Sequence, residues 1–142
     1  MTVVRAEVTD SPLDVAAHIA AVTSATAGAV STFIGTVRDH DPQAEGTVTG
    51  LDYEAHPAAG EFMAAIAGEI DREWADSDVR IAVTHRHGHL AVGDIAVVVA
   101  CSSAHRREAI DACSGLIEKI KTDLPVWKKQ HTDTGSTAWV GI

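Results

Sequence analysis

The sequence predicts an α+β fold, with a mixed, mainly antiparallel sheet and about three helices. Three observations lead there. Seven short segments are apolar and β-branched over strand lengths. Three longer segments carry apolar residues at helical spacing. Strands and helices do not alternate strictly, and several neighbouring strands are joined by short connections, which disfavours a parallel βαβ sheet. A chain of 142 residues is expected to form one domain, 1–142, with room for a real core.

TVVRAEV reads as a first strand. Ser11 and Pro12 then predict a helix over about 12–24, with Ser11 as N-cap and Pro12 in the first turn. AVSTFIGTVR at 29–38 and TVTGLDYEA at 47–55 read as strands. The polar loop between them, 39–46, suits an antiparallel pair. Gly35 suits a bulge or a close backbone approach. Pro57 opens a second helix over about 57–75, with Phe62, Ile66, Ile70 and Trp74 expected on its buried side. VRIAVTHRHG at 79–88 is a strand, Gly88 and Gly93 bracket a turn, and DIAVVVACS at 94–102 is the most apolar strand. A third helix over 104–123 stops before Pro125. PVWKKQH and STAWV are two terminal strands around Asp133, Thr134 and Gly135.

Charge is distributed unevenly. The net charge is -9, yet all four lysines, Lys119, Lys121, Lys128 and Lys129, fall within eleven residues. Residues 1–104 hold 5 Arg against 15 acidic residues, whereas 105–129 hold 6 cations against 4 acidic residues. Such concentration suggests a site for something anionic. The overall acidity argues against general nucleic-acid binding. No apolar run approaches the roughly 18 residues of a membrane span, and no signal-peptide pattern opens the chain, so a cytoplasmic location is expected. Cys101 and Cys113 match no metal motif and read as reduced core residues.

Helical geometry divides the basic segment. Ile110, Cys113, Ile117, Ile120 and Leu124 fall within an arc of about 80°. Lys119 points away from it and Lys121 borders it. Arg106 falls near its centre, in the first turn. A cation there needs a partner: either a carboxylate of this chain or an anionic ligand drawn also by the helix N-terminus. Lys121 and Lys128 flank a helix end and a Pro turn. They are either a surface pair or two ammonium groups facing one cavity, where desolvation and mutual repulsion would lower a pKa. His85, His87 and His89 alternate as strand residues, which suits zinc only if Gly88 leaves them on one face. A polar strand end is the simpler reading, and no metal site is expected. Arg38 closes its strand at a sheet edge and suits either a ligand or an ion pair. His105 opens the third helix beside Arg106.

FIGTVRDH at 33–40, LDYEAH at 51–56, HRHGHLAVGD at 85–94 and HRREAIDACSGLIEKIKTDLPVWKKQ at 105–130 together resemble the large, catalytic subunit of molybdopterin synthase, the MoaE family. The resemblance covers most of the chain. Its most specific part is HR followed by K-T-x-x-P-x-W-K-K. It implies an α/β-hammerhead-like fold and a homodimer within a heterotetramer. It also implies a small ubiquitin-like sulfur-carrier partner of the MoaD family, whose C-terminal Gly-Gly thiocarboxylate enters the pocket. Sulfur would pass to cyclic pyranopterin monophosphate to make the molybdopterin dithiolene, with no separate cofactor. The family lysines correspond to Lys121 and Lys128 as catalytic residues. Substrate contacts correspond to Arg38, His105 and Arg106, with Thr36 and Val37 beside Arg38, and Lys129 and Gln130 after Lys128. Many members have Glu where this chain has Gln130, which removes a carboxylate partner for the lysines. Two other functions remain open on the residues alone: a non-catalytic module that grips an acidic or Gly-Gly protein tail, and a metal-dependent enzyme centred on His85, His87 and His89.

Overall fold

A computed structural model describes residues 2–42, 46–135 and 137–142, with the side chain of Ala138 left aside. Residues 43–45 of the predicted polar loop, and Ser136 at the head of the last predicted strand, lie outside the described residues. The chain runs β1 (Thr2–Thr9), α1 (Val15–Val22), β2 (Ala29–Thr36), β3 (Val48–Ala55), α2 (Ala59–Glu73), a 3-10 turn (Ala75–Ser77), β4 (Arg80–Arg86), β5 (Gly88–Ala91), β6 (Ile95–Ser103), α3 (Arg106–Asp123), β7 (Val126–Thr132) and β8 (Thr137–Gly141). The predicted α+β class holds. One four-stranded sheet has the order β1-β4-β6-β2 and the other β5-β3-β7-β8. Among the described residues only β1 and β4 pair in parallel; the remaining pairs are antiparallel.

The first sheet is covered on both faces. Alternation along β4 sends Ile81 and Val83 into the main core, where Met63, Ile66 and Ile70 of α2 and Leu116 and Ile120 of α3 meet them. Ala82 and Ala100 face the other way and pack with Val22 of α1 in a small second cluster. Burial on both faces explains why β6 is apolar without alternation.

Several boundaries differ from the sequence expectations, each for a local reason. The first helix starts at Val15, and Asp14, not Ser11, is its N-cap, accepting a 3.0 Å bond from the Ala17 amide. Asp and Ser cap equally well, so tertiary anchoring decides. Buried His18 donates from Nδ1 to the Asp14 carbonyl at 2.6 Å and accepts at Nε2 from the Thr84 hydroxyl at 2.7 Å. On α2, the expected line of apolar residues fails at Phe62, which is 47% exposed. A spacing of four residues drifts about 40° per step around a helix. The buried set is instead Met63, Ile66, Ala67 and Ile70. Ile110 is likewise exposed on α3, whose buried face is Ala109, Ala112, Cys113, Leu116, Ile117 and Ile120.

The predicted β2–β3 pair does not form: β2 pairs with β6, and β3 with β5 and β7. The sequence turn assigned between Gly88 and Gly93 contains a strand, β5. Gly88 has φ 98°, a conformation only glycine adopts cheaply, and there the chain passes from the first sheet to the second. His85 and His89 therefore sit in different sheets, and the common face that strand alternation alone would give His85, His87 and His89 is broken at Gly88. Both cysteines are free and buried, as expected.

Candidate active site

Two helix and strand ends build the site. Helix α3 ends because Pro125 cannot continue it, and Leu124 caps it with extended backbone. Lys121 lies in the last turn, where a cation complements the helix dipole. Three residues beyond Pro125, β7 carries Lys128, and alternation places Lys128 and Gln130 on one face with Val126. This face meets the β2 end across a cavity of about 360 Å³. Its walls include Thr36, Val37, Arg38, Tyr53, Lys121, Lys128 and Gln130.

Gly35 lets the walls close. A Cβ there would lie 2.7 Å from Val97 Cγ1, and the β2–β6 register shifts between Gly35 and Thr36. Of the two expectations, the register shift fits a bulge, and the close neighbour is the Val97 side chain rather than another backbone. The strand itself ends at Thr36, so Val37 and Arg38 lie beyond it. The Val37 amide donates to the Asp94 carbonyl at 3.0 Å, and its own carbonyl accepts from Gly93 at 2.7 Å. These bonds hold the backbone that presents Arg38.

Electrostatically the cavity is lined by the cations Arg38, Lys121 and Lys128, with the Asp41 carboxylate placed against them. Burial lowers the Lys121 pKa below the ordinary lysine value, and the Lys128 charge lowers it further. Lys119, two residues away, goes the opposite way, because a 2.9 Å bond to Glu69 on α2 raises its pKa. Lys128 Nζ lies 3.8 Å from Asp41 Oδ2, and the Gln130 amide donates to the same oxygen at 2.5 Å. Asp41 thus supplies a carboxylate where position 130 does not. A Glu at 130 would set two carboxylates at hydrogen-bond distance; the amide turns that repulsion into attraction. The Gln130 Oε1 is buried and has no hydrogen-bond partner among the described residues.

His85 and Tyr53 complete the inner wall. Their rings meet edge to face, 5.2 Å apart. Burial pushes the Tyr53 pKa up to about 12 and the His85 pKa down to about 4. The Arg86 carbonyl, 2.8 Å from His85 Nδ1, can only accept, so Nδ1 carries the proton and Nε2 is an acceptor. Both side chains are neutral at pH 7. Sequence reading assigned neither to the pocket, and it also passed over Asp41 and His40, which line it.

Three of the expected site residues lie elsewhere. Lys129 faces away from Lys128, with its ammonium 5.7 Å above the Trp139 ring. His105 and Arg106 are exposed at the start of α3 and do not line the cavity. Arg106 was expected on the buried face; that face is instead centred on Ala109, Ala112, Leu116 and Ile120, so Arg106, like Ile110, falls to its exposed side. Fifteen residues separate it from Lys121, about 22 Å along the axis at 1.5 Å per residue.

A family model described as "MoaE protein" matches residues 8–123. The chain belongs to the MoaE family. Among relatives, molybdopterin synthase catalytic subunit 1 of Mycobacterium tuberculosis is 42% identical over 134 residues, covering 94% of this chain and 88% of that protein. The crystal structure of molybdopterin synthase from Staphylococcus aureus superimposes with a TM-score of 0.87 at 33% identity, covering 96% of this chain and 97% of that chain. A complex of subunits 1 and 2 of molybdopterin-converting factor from Helicobacter pylori shares the fold, with a TM-score of 0.74 at 18% identity over 94% of this chain and 88% of that chain. The two-sheet, three-helix architecture is thus that of the MoaE hammerhead-like fold. The MoaE match ends at Asp123, so it takes in Lys121 but stops short of Lys128.

Proposed function

We propose that this MoaE-family chain works as the catalytic subunit of a molybdopterin synthase, with Lys121 and Lys128 at its active centre. It is a sulfurtransferase: sulfur leaves the C-terminal thiocarboxylate of a small ubiquitin-like subunit and joins cyclic pyranopterin monophosphate, forming the molybdopterin dithiolene. The observation that carries the assignment of residues is the convergence of two lysines on one cavity, with the Lys121 pKa lowered by burial and by its neighbour. A lysine with a lowered pKa spends more time as the free amine, able to act as base or nucleophile. In this reading Lys121 moves a proton or takes the acyl group transiently, and Lys128 stabilises negative charge on the phosphate or the departing carboxylate. Arg38, exposed on the cavity wall, suits the phosphate, and Thr36, Val37 and Gln130 shape the same wall. The partner is inferred from the family resemblance, in keeping with the two-subunit complex of the H. pylori protein.

His105, Arg106 and Lys129 do not face the cavity of their own chain. A substrate contact by His105 or Arg106 requires a second copy, which fits a homodimer. The exposed apolar side chains of β2, Val30, Phe33 and Ile34, support such a dimer, since β2 is an edge strand of its sheet and an apolar edge invites pairing with another chain. Two such copies with two small subunits give the heterotetramer.

Reconstitution tests the assignment: this protein, a thiocarboxylated ubiquitin-like subunit and cyclic pyranopterin monophosphate, assayed for molybdopterin. Lys121→Ala should abolish dithiolene formation with an unchanged circular dichroism spectrum. Near-normal turnover by that variant would rule the role out.

A further inference from the structure

A second cluster of functional side chains lies on the opposite face of the second sheet. Asp52 on β3 sits between two imidazoles from the strands that flank it. His89 on β5 is its direct cross-strand partner, and His131 on β7 lies diagonally across, paired with Gly50. His89 Nδ1 donates to Asp52 Oδ1 at 2.7 Å, and His131 Nε2 donates to Asp52 Oδ2 at 2.6 Å. One ligand atom from each of the three residues lies within 4.8 Å of the others. Pocket residues Leu51, Tyr53, Lys128 and Gln130 alternate with these positions and face the other way. The cluster is therefore separate from the active centre.

The backbone makes room for it. A Cβ on residue 50 would lie 3.1 Å from His89 Cε1 and 3.5 Å from its Nε2. Glycine at 50 lets the imidazole lie over the strand, toward Asp52 and His131, whose ring centroid is 6.2 Å from that of His89.

We propose that Asp52, His89 and His131 form a binding site for a divalent transition-metal ion of the zinc class. Two imidazoles and a carboxylate suit such ions, and three protein ligands leave a fourth position open to water or another donor. Bonds of about 2.0–2.1 Å require tetrahedral ligand atoms roughly 3.4 Å apart. The two N···O contacts therefore open by less than about 1 Å, and the two imidazole nitrogens, within 4.8 Å of each other, close by up to about 1.4 Å, movements within reach of side-chain rotation at a partly exposed site. The metal takes the place of the two N–H···O bonds, and each imidazole carries its proton on the other nitrogen. Such an ion would tie β5, β3 and β7 together behind the wall that carries Lys128 and Gln130. This site differs from the H-x-H-x-H run of His85, His87 and His89: only His89 is shared. It stands independently of the sulfur-transfer assignment.

The test uses the full chain without a histidine tag, stripped of metal by chelator. Zn2+ should bind with one-to-one stoichiometry by calorimetry and raise the melting temperature. Co2+ should give the intense visible absorption of a tetrahedral ion. His89→Ala and His131→Ala should each weaken Zn2+ binding by more than about tenfold, a loss that even outer-shell changes can cause. His87→Ala should bind as the parent does. Absence of saturable one-to-one Zn2+ binding in the micromolar range would overturn the proposal, as would parent-like affinity in both histidine variants. The Co2+ spectrum of the unmodified protein decides the matter even if a variant folds poorly: a weak octahedral spectrum counts against the site.

Discussion

Single residues in this chain owe their chemistry to what surrounds them more than to their type. Lys119 and Lys121 are two residues apart, yet one is raised by Glu69 and the other lowered by burial and by Lys128. His85 carries a pH consequence. Its folded pKa of about 4 lies below the ordinary histidine value of 6.5, with burial as the main cause. Between those two values the unfolded chain binds more protons than the folded one, so stability rises with pH. The contribution is fully present above about pH 6.5 and is lost on acidification toward pH 4, a change of about 3 kcal/mol. Denaturant unfolding at pH 7 and pH 4.5 should show a smaller acid loss in His85→Gln than in the parent. Equal losses would mean that His85 is not held neutral by the fold. The sequence revealed the two lysines because they break the composition of an acidic chain. It did not place Asp41 or His85 at the cavity, because an Asp in a loop looks like many others and His85 drew notice only as one of three alternating histidines.

Elements were legible where a repeating pattern spans most of their length, and less so at their ends. Among the described residues, the three α-helices and seven of the eight strands follow from spacing and punctuation. The missed strand, β5, has four residues, too few for a period to show, and its flanking glycines read as a turn. The first helix start was misplaced because Ser11 and Asp14 are equal caps locally, and the choice rests on His18 reaching Thr84 across 66 positions of sequence. Pairing of β2 with β3 was a local inference, overridden by the antiparallel ladder that β2 forms with β6 from Ala29 to Thr36. Gly35, in contrast, was read correctly, since a glycine inside a β-rich run has few explanations. Gly35→Ala should cost about 1–3 kcal/mol, as overpacking does, because the new methyl group meets Val97 Cγ1 at 2.7 Å and the Phe33 ring at 3.4 Å. Chemical denaturation measures it; unchanged stability would show that Val97 turns aside freely.

At the scale of the whole molecule, two sheets with different duties share one chain. The first, whose central strands β4 and β6 are buried on both faces, carries much of the core. The second has an inner face that walls the cavity and an outer face that holds Asp52, His89 and His131. No helix among the described residues is long and apolar enough to cross a membrane. The separation of Arg106 from Lys121 bears on assembly. If His105 and Arg106 serve the cavity of a second copy, Lys121→Ala and Arg106→Ala chains are each inactive alone. Refolded together, they should regain molybdopterin formation in mixed dimers that hold one intact site. Failure to recover activity, with subunit exchange verified by differently tagged copies, would remove Arg106 from the site.

The span of α3 has one more effect. The helix fixes the distance and the angle between its two ends together, because each residue adds about 1.5 Å of rise and 100° of rotation. A single inserted or deleted residue would swing Lys121 away from the cavity while leaving every side chain chemically intact. Over the course of descent, α3 can therefore exchange exposed residues freely but can hardly change its length. Gaps and insertions should accumulate in the connections around it, and the number of residues from Arg106 to Lys121 should persist where their identities do not.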